Sequence, residues 1–169
     1  MPAYVALLRA VNVGGTGKIE MPALRALCTN LGFENVRTYI ASGNVVFESH
    51  ADETTIKASL ESALEAHAGK PVGVMVRTGA EMAGVLAANP FPSAAPNRAV
   101  AIFLDGPPPA DLMAGVSRRA NEEIAPGRRE IYVWYPNGMA DTKLVIKAAS
   151  AGTARNMNTV AKLAEWASA

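Results

Sequence analysis

MPAYVALLRAVNVGGTGK (residues 1–18) joins an apolar run, Tyr4 to Val11, to a polar loop broken by glycine, Asn12-Val13-Gly14-Gly15-Thr16-Gly17-Lys18. The run reads as a central strand covered on most of both sides, with Tyr4, Ala6 and Leu8 on one face and Val5, Leu7 and Arg9 on the other. A helix is predicted to follow from about Met21. Strand, glycine-rich loop and helix N-terminus in that order make a candidate anion site, because the first amides of a helix lack intrahelical partners and its dipole favours negative charge.

The next sixty residues complete the pattern. Pro22 suits the first turn of the helix, Leu24, Leu27, Cys28 and Leu31 recur at helical spacing, and Gly32 can end it in the left-handed conformation. Phe33 to Ala41 and Asn44 to Glu48 read as two strands joined by the tight turn Ala41-Ser42-Gly43-Asn44. Asp52 is a plausible N-cap for a long helix bearing Ile56, Leu60, Ala63, Leu64 and His67 on one face. Gly69 ends it, and Pro71 to Val76 supplies a fourth strand. Residues 1–77 therefore spell β-α-β-β-α-β, the order of a ferredoxin-like α+β antiparallel sandwich with strand order 4-1-3-2 and helices on one face. That order brings the loop after the first strand, the Ser42-Gly43-Asn44 turn and the segment from His67 to Lys70 to one end of the sheet.

Residues 78–169 read as a second α+β half packed against the first and ending in a helix. Thr78 and Glu81 form a capping box for a short helix to about Ala88, and Asn89-Pro90-Phe91-Pro92 forces extended chain. Strands are predicted at Arg98–Leu104 and Arg128–Tyr135, with helical stretches around Leu112, Met113 and Val116 and from Leu144 to Ala151. The polar run Thr153-Ala154-Arg155-Asn156-Met157-Asn158-Thr159 introduces a last amphipathic helix with Val160, Leu163 and Trp166 inward. No linker is long enough to free one half from the other.

Composition narrows the function classes. Of 169 residues half are hydrophobic, so the chain can bury a core. Sixteen Lys and Arg against fifteen Asp and Glu leave no global field to draw in nucleic acid or an anionic membrane. The single Cys28 excludes an internal disulfide and a cysteine-built zinc site and fits a reducing cytoplasm. No apolar stretch approaches the length of a membrane span, Arg9 interrupts the N-terminal run, and no signal peptide is read there. The expectation is a cytoplasmic protein with no metal, no cofactor and no membrane partner.

Four stretches together carry a family resemblance: YVALLRAVNVGG (4–15), VRTYIASGNVVF (36–47), YPNGMADTKL (135–144) and TARNMNTVAKLAE (153–165). The chain resembles an uncharacterised bacterial family, the domain of unknown function 1697. The resemblance implies an α+β fold built around ferredoxin-like units and implies no activity. It departs from the family where Ala10 replaces a usual Gly, Met157 a common aromatic and Thr142 a common Ser.

Chemistry is sparse. Gly-Gly-Thr-Gly-Lys is not a P-loop, which would need Gly at Asn12 and Ser or Thr at Ile19. A looser cradle of amides with Lys18 remains, beside the simpler reading of a glycine turn. Arg155 at a helix start offers a guanidinium fork for carboxylate or phosphate, while Asn156 or Asn158 is sufficiently explained as a cap. Cys28 reads as a small core hydrophobe. The leading expectation is binding of a small anionic ligand, phosphorylated or nucleotide-like, by Asn12, Gly14, Gly15, Lys18, Ser42, Asn44, Arg155 and Asn156, with Lys70 nearby. An enzyme acting on such a ligand through His67 or Ser42 is one alternative. An RNA-binding module using Arg118, Arg119, Arg128 and Arg129 is another, weakened because the third strand lacks paired aromatics for base stacking.

Overall fold

Alternation along Ala3–Leu8 sends Tyr4, Ala6 and Leu8 to one side of the first strand, β1, and Val5 and Leu7 to the other, and all five are buried. The computed structural model describes residues 1–9, 19–40 and 43–168. It divides into two compact units, Met1–Ala83 with Leu163–Ala169, and Gly84–Lys162.

In the first unit β1 leads to helix α1 (Met21–Asn30), strands β2 (Glu34–Tyr39) and β3 (Asn44–Glu48), helix α2 (Glu53–Ala68), strand β4 (Val74–Thr78) and helix α3 (Gly79–Ala87). The sheet has the order β2-β3-β1-β4 with every neighbour antiparallel, the ferredoxin-like arrangement. Its helix-covered face is one core in which Tyr4, Ala6, Leu8, Val45, Phe47, Val74 and Val76 meet Leu24, Cys28, Ile56, Leu60 and Leu64.

Local chemistry sets the helix ends. Asp52 accepts from Thr55 N at 2.8 Å to start α2, and Gly69 ends it at φ 76°. At the end of α1, Gly32 at φ 88° lets its own N–H reach Thr29 O and the Phe33 N–H reach Cys28 O, the paired bonds of a Schellman motif. Phe33 is thereby turned inward, where its ring stacks on Phe47 at 4.3 Å. His67, expected on the inner face of α2, is exposed. It lies in the last turn, past the reach of the core stripe Ile56, Leu60 and Leu64.

The second unit is built on another four-stranded antiparallel sheet, in the order β10-β5-β8-β7. Its elements are β5 (Ala99–Phe103), a two-residue strand β6 (Val116–Ser117), β7 (Glu123–Pro126), β8 (Glu130–Trp134), a two-residue strand β9 (Val145–Ile146), β10 (Thr153–Asn156) and helix α4 (Met157–Ala167), whose residues from Leu163 onward belong to the first unit. Val100, Ile102, Ile131, Val133 and Tyr135 form a core with Leu112 and Ile146.

Three sequence expectations change in the second unit. The predicted helix around Leu112 is a single 3-10 turn, Leu112–Gly115, confined by the prolines before it and continued by β6. The helix expected from Leu144 to Ala151 is instead β9 and a short 3-10 turn, because β-branched Val145 and Ile146 pair with Ser117 and Val116. Residues 153–156 lead into the last helix as expected but are themselves strand β10, paired antiparallel to β5 with Arg155 opposite Ala101. Strand β7 is an addition. It is an edge strand, and an edge tolerates Pro126 at its end.

Candidate functional site

The end of the first sheet is assembled by main-chain bonds. Leu8 N donates to Gly43 O at 2.8 Å, and Arg9 N donates to Gly73 O at 2.8 Å. The chain leaving β1, the β2–β3 hairpin and the chain entering β4 are thus side by side. Strand order places the N-terminus of α1 at this same end, since β1 and β2 run parallel and α1 must return along the sheet between them. Glu20, the residue preceding α1, makes no side-chain cap, and buried Ile19 roots the helix start in the core.

Asn12, Gly14, Gly15, Lys18 and Ser42 lie outside the described residues. Asn44 is fully buried opposite Leu7, and its Nδ2 donates to Tyr39 O at 2.9 Å across the hairpin. Among the described residues of the hairpin, Ile40 at φ 52° and Gly43 at φ 89° are left-handed, and Ile40 has no glycine freedom. Sequence reading overlooked Arg9. It is exposed at the end of β1, and its side chain passes against Gly73, where an added Cβ would lie 3.6 Å from Arg9 Cβ and Cδ. The signal was present as the one charge interrupting an apolar run. Exposed Lys70, three residues before Gly73, is a further cation in the segment that enters β4.

Arg155 and Asn156 belong to the second unit. Arg155 is 6 % exposed, and its Nη1 donates to Thr153 Oγ1 at 2.7 Å and Ala154 O at 2.9 Å. Burial pulls its guanidinium down to about 10 from the ordinary arginine range. Asn156 Oδ1 accepts from Thr159 N at 3.0 Å and caps α4. The strand in front of that cap was hidden because its buried residues, Thr153 and Arg155, are polar.

The remaining candidates resolve simply. Cys28 is buried, and desolvation pushes its thiol up to about 12, which suppresses the nucleophilic thiolate. Tyr4 lies in the helix-covered core with its hydroxyl donating to Ala51 O at 3.0 Å, so it offers no surface for base stacking. Of the four arginines in the basic cluster, Arg119 Nε donates to Glu122 O and Arg129 donates to Asp105 O. Among the described residues no group of three or more His, Cys, Asp or Glu side chains could hold a metal ion, and no helix is long and apolar enough to cross a membrane.

Comparisons with known proteins agree with this architecture. The chain is similar over 98 % of its length to a solved structure, that of conserved bacterial protein SP0830 from Streptococcus pneumoniae, covering 98 % of that chain with a TM-score of 0.77 and 23 % identity. At that identity the likeness speaks for the fold alone. No curated protein matches the chain. Residues 1–132 match the family described as protein of unknown function (DUF1697). With far more than half of its residues in that match, and with the α+β sandwich that the resemblance of its motifs implied, the chain belongs to the DUF1697 family.

Proposed function

We propose that the protein binds a small anionic ligand, phosphorylated or nucleotide-like, at the end of the first sheet, as a cytoplasmic protein. The observation that carries this reading is the Leu8 N to Gly43 O bond, which puts the chain leading into the glycine loop beside the chain closing the Ser42-Gly43-Asn44 turn. Backbone amides of the loop, the free amides at the start of α1 and the cations Lys18, Arg9 and Lys70 would supply complementary charge. Asn12, Gly14, Gly15 and Ser42 would supply close approach and hydrogen bonds. Asn44 supports the site from below by holding the hairpin closed. Arg155 and Asn156, also expected among the ligand-binding residues, lie in the second unit and are held there by Thr153 Oγ1, Ala154 O and Thr159 N.

Isothermal titration with adenine nucleotides, sugar phosphates and inorganic phosphate tests the reading. The expected result is saturable heat that Lys18→Ala and Arg9→Ala each weaken about tenfold, as for loss of one charge-assisted bond. Absence of heat with every probe, or heat untouched by both substitutions, overturns it.

A further inference from the structure

The two-stranded ladder β6–β9 ends where Ser117 pairs with Val145. Beyond it the two segments part, and the space between residues 118–122 and residues 137–143 is an open cavity of about 360 Å³. Its volume is that of a small-metabolite site.

The cavity has a constructed frame. Glu122 is 5 % exposed, and its two carboxylate oxygens are both engaged, Oε1 by Ala120 N at 2.7 Å and Oε2 by the Thr142 hydroxyl at 2.6 Å. These bonds hold its carboxyl below the usual carboxylate range. Thr142 Oγ1 also accepts from Leu144 N at 3.2 Å, and Arg119 Nε donates to Glu122 O at 2.5 Å. One side chain thus clamps two segments twenty residues apart. Arg118, on the rim, has φ 54°, a conformation that costs a non-glycine residue energy and is maintained only where surroundings impose it.

What the frame leaves unused is as informative as what it uses. Arg118, Asp141 and Lys143 line the cavity, yet none of the three makes a side-chain hydrogen bond or an ion pair within the described residues. Asn121 and Asn137 line it as well and are equally unengaged. All five are exposed to solvent, and side chains of both charges border one small space. The hydrogen bond accepted by each Glu122 oxygen fixes that carboxylate within the frame.

We propose that this cavity binds a small zwitterion of the α-amino-acid class, its carboxylate received by Arg118 and Lys143 and its ammonium by Asp141. Asn121 and Asn137 contribute amide hydrogen bonds to the polar remainder of the ligand. A purely anionic ligand would leave Asp141 facing like charge, and a purely cationic one would face Arg118 and Lys143. All the residues involved belong to the second unit, so the site stands apart from the reading given to the end of the first sheet.

The test is isothermal titration of the full chain with the twenty protein amino acids one at a time, with acetate and ethylamine as single-charge controls. At least one amino acid should bind with a dissociation constant below about 1 mM, and both controls should bind far more weakly. Arg118→Gly relieves the left-handed strain while removing the guanidinium, so the fold should be kept, as checked by thermal melting, while affinity falls at least about tenfold. Asp141→Asn should cause a similar loss. The proposal is overturned if no amino acid binds, if acetate binds as well as the amino acid, or if affinity survives both Arg118→Gly and Asp141→Asn.

Discussion

Arg77-Thr78 and Arg155-Asn156 occupy the same place in their respective units. Each pair ends an edge strand, β4 beside β1 and β10 beside β5, and each is followed at once by a helix. Each arginine lies on the sheet face turned away from its unit's aliphatic core, is buried, and sends Nη1 back to the carbonyl of the preceding residue, Val76 O at 3.0 Å and Ala154 O at 2.9 Å. Each following residue caps the helix by accepting from the third helical amide, Glu81 N for Thr78 and Thr159 N for Asn156. The joints differ in what the third residue returns. Glu81 reaches back to Thr78 N at 2.9 Å and completes a capping box, whereas Thr159 has no carboxylate to offer. The lesson is that a run of polar residues such as Thr153 to Thr159 can be consumed by architecture, one buried cation and one cap at a time.

If the joints are equivalent, truncating either arginine should damage the fold more than loss of a cap or of a raised thiol. Arg77→Ala should cost about 3 kcal/mol in urea denaturation, through a cavity and lost charge-assisted bonds, and Arg155→Ala somewhat less, since it is 6 % exposed against 1 %. A cost confined to one of them would break the equivalence.

Alkaline pH separates the units next. Burial raises the Cys28 thiol in the first unit from 9.0 to about 12, and burial together with Glu130 raises the Tyr132 hydroxyl in the second from 10.0 to about 12. Below these ordinary values folded and unfolded chains hold the same proton. Above them the unfolded chain releases it while the folded chain keeps it, so stability falls with rising pH, by up to about 1.4 kcal/mol per pH unit for each group. Denaturation midpoints between pH 9 and 12 should decline less steeply from pH 9 in Cys28→Ala. In Tyr132→Phe the slope should ease only from pH 10.

The smallest effect concerns the caps. Thr78→Ala and Asn156→Ala should each cost about 1 kcal/mol, with Thr78 the more sensitive because its box is reciprocal. Equal melting temperatures for the two variants would show that the Glu81 return bond contributes little.

The first unit was legible because its signals are regular. α2 has a cap at Asp52, a stripe at Ile56, Leu60 and Leu64, and a stop at Gly69, and each survives intact in the structure. The strand order followed from element order alone. The second unit hides its organisation for physical reasons. β6 and β9 are two residues each, too short to show a period, and the residues that β10 buries are Thr153 and Arg155, where a pattern reader expects apolar ones. Of the candidate site, the convergence of the β1 end with the hairpin was readable from topology, while Arg9 was passed over because a lone charge in a strand looks like noise. The cavity framed by Glu122 was not readable at all, since it depends on a carboxylate clamping residues 120 and 142, and nothing in residue spacing announces that bond.

Strand β2 forms one margin of the first sheet, and its ladder with β3 shifts register between Glu34 and Arg37, where Asn35 takes φ 52°. A foreign strand arriving there would meet main-chain groups out of step, a left-handed kink and the exposed charges of Glu34 and Arg37. That margin of the sheet therefore carries its own guard against edge-to-edge self-association. Straightening that kink, rather than loosening the core, is the change that would invite copies of the chain to polymerise edge to edge.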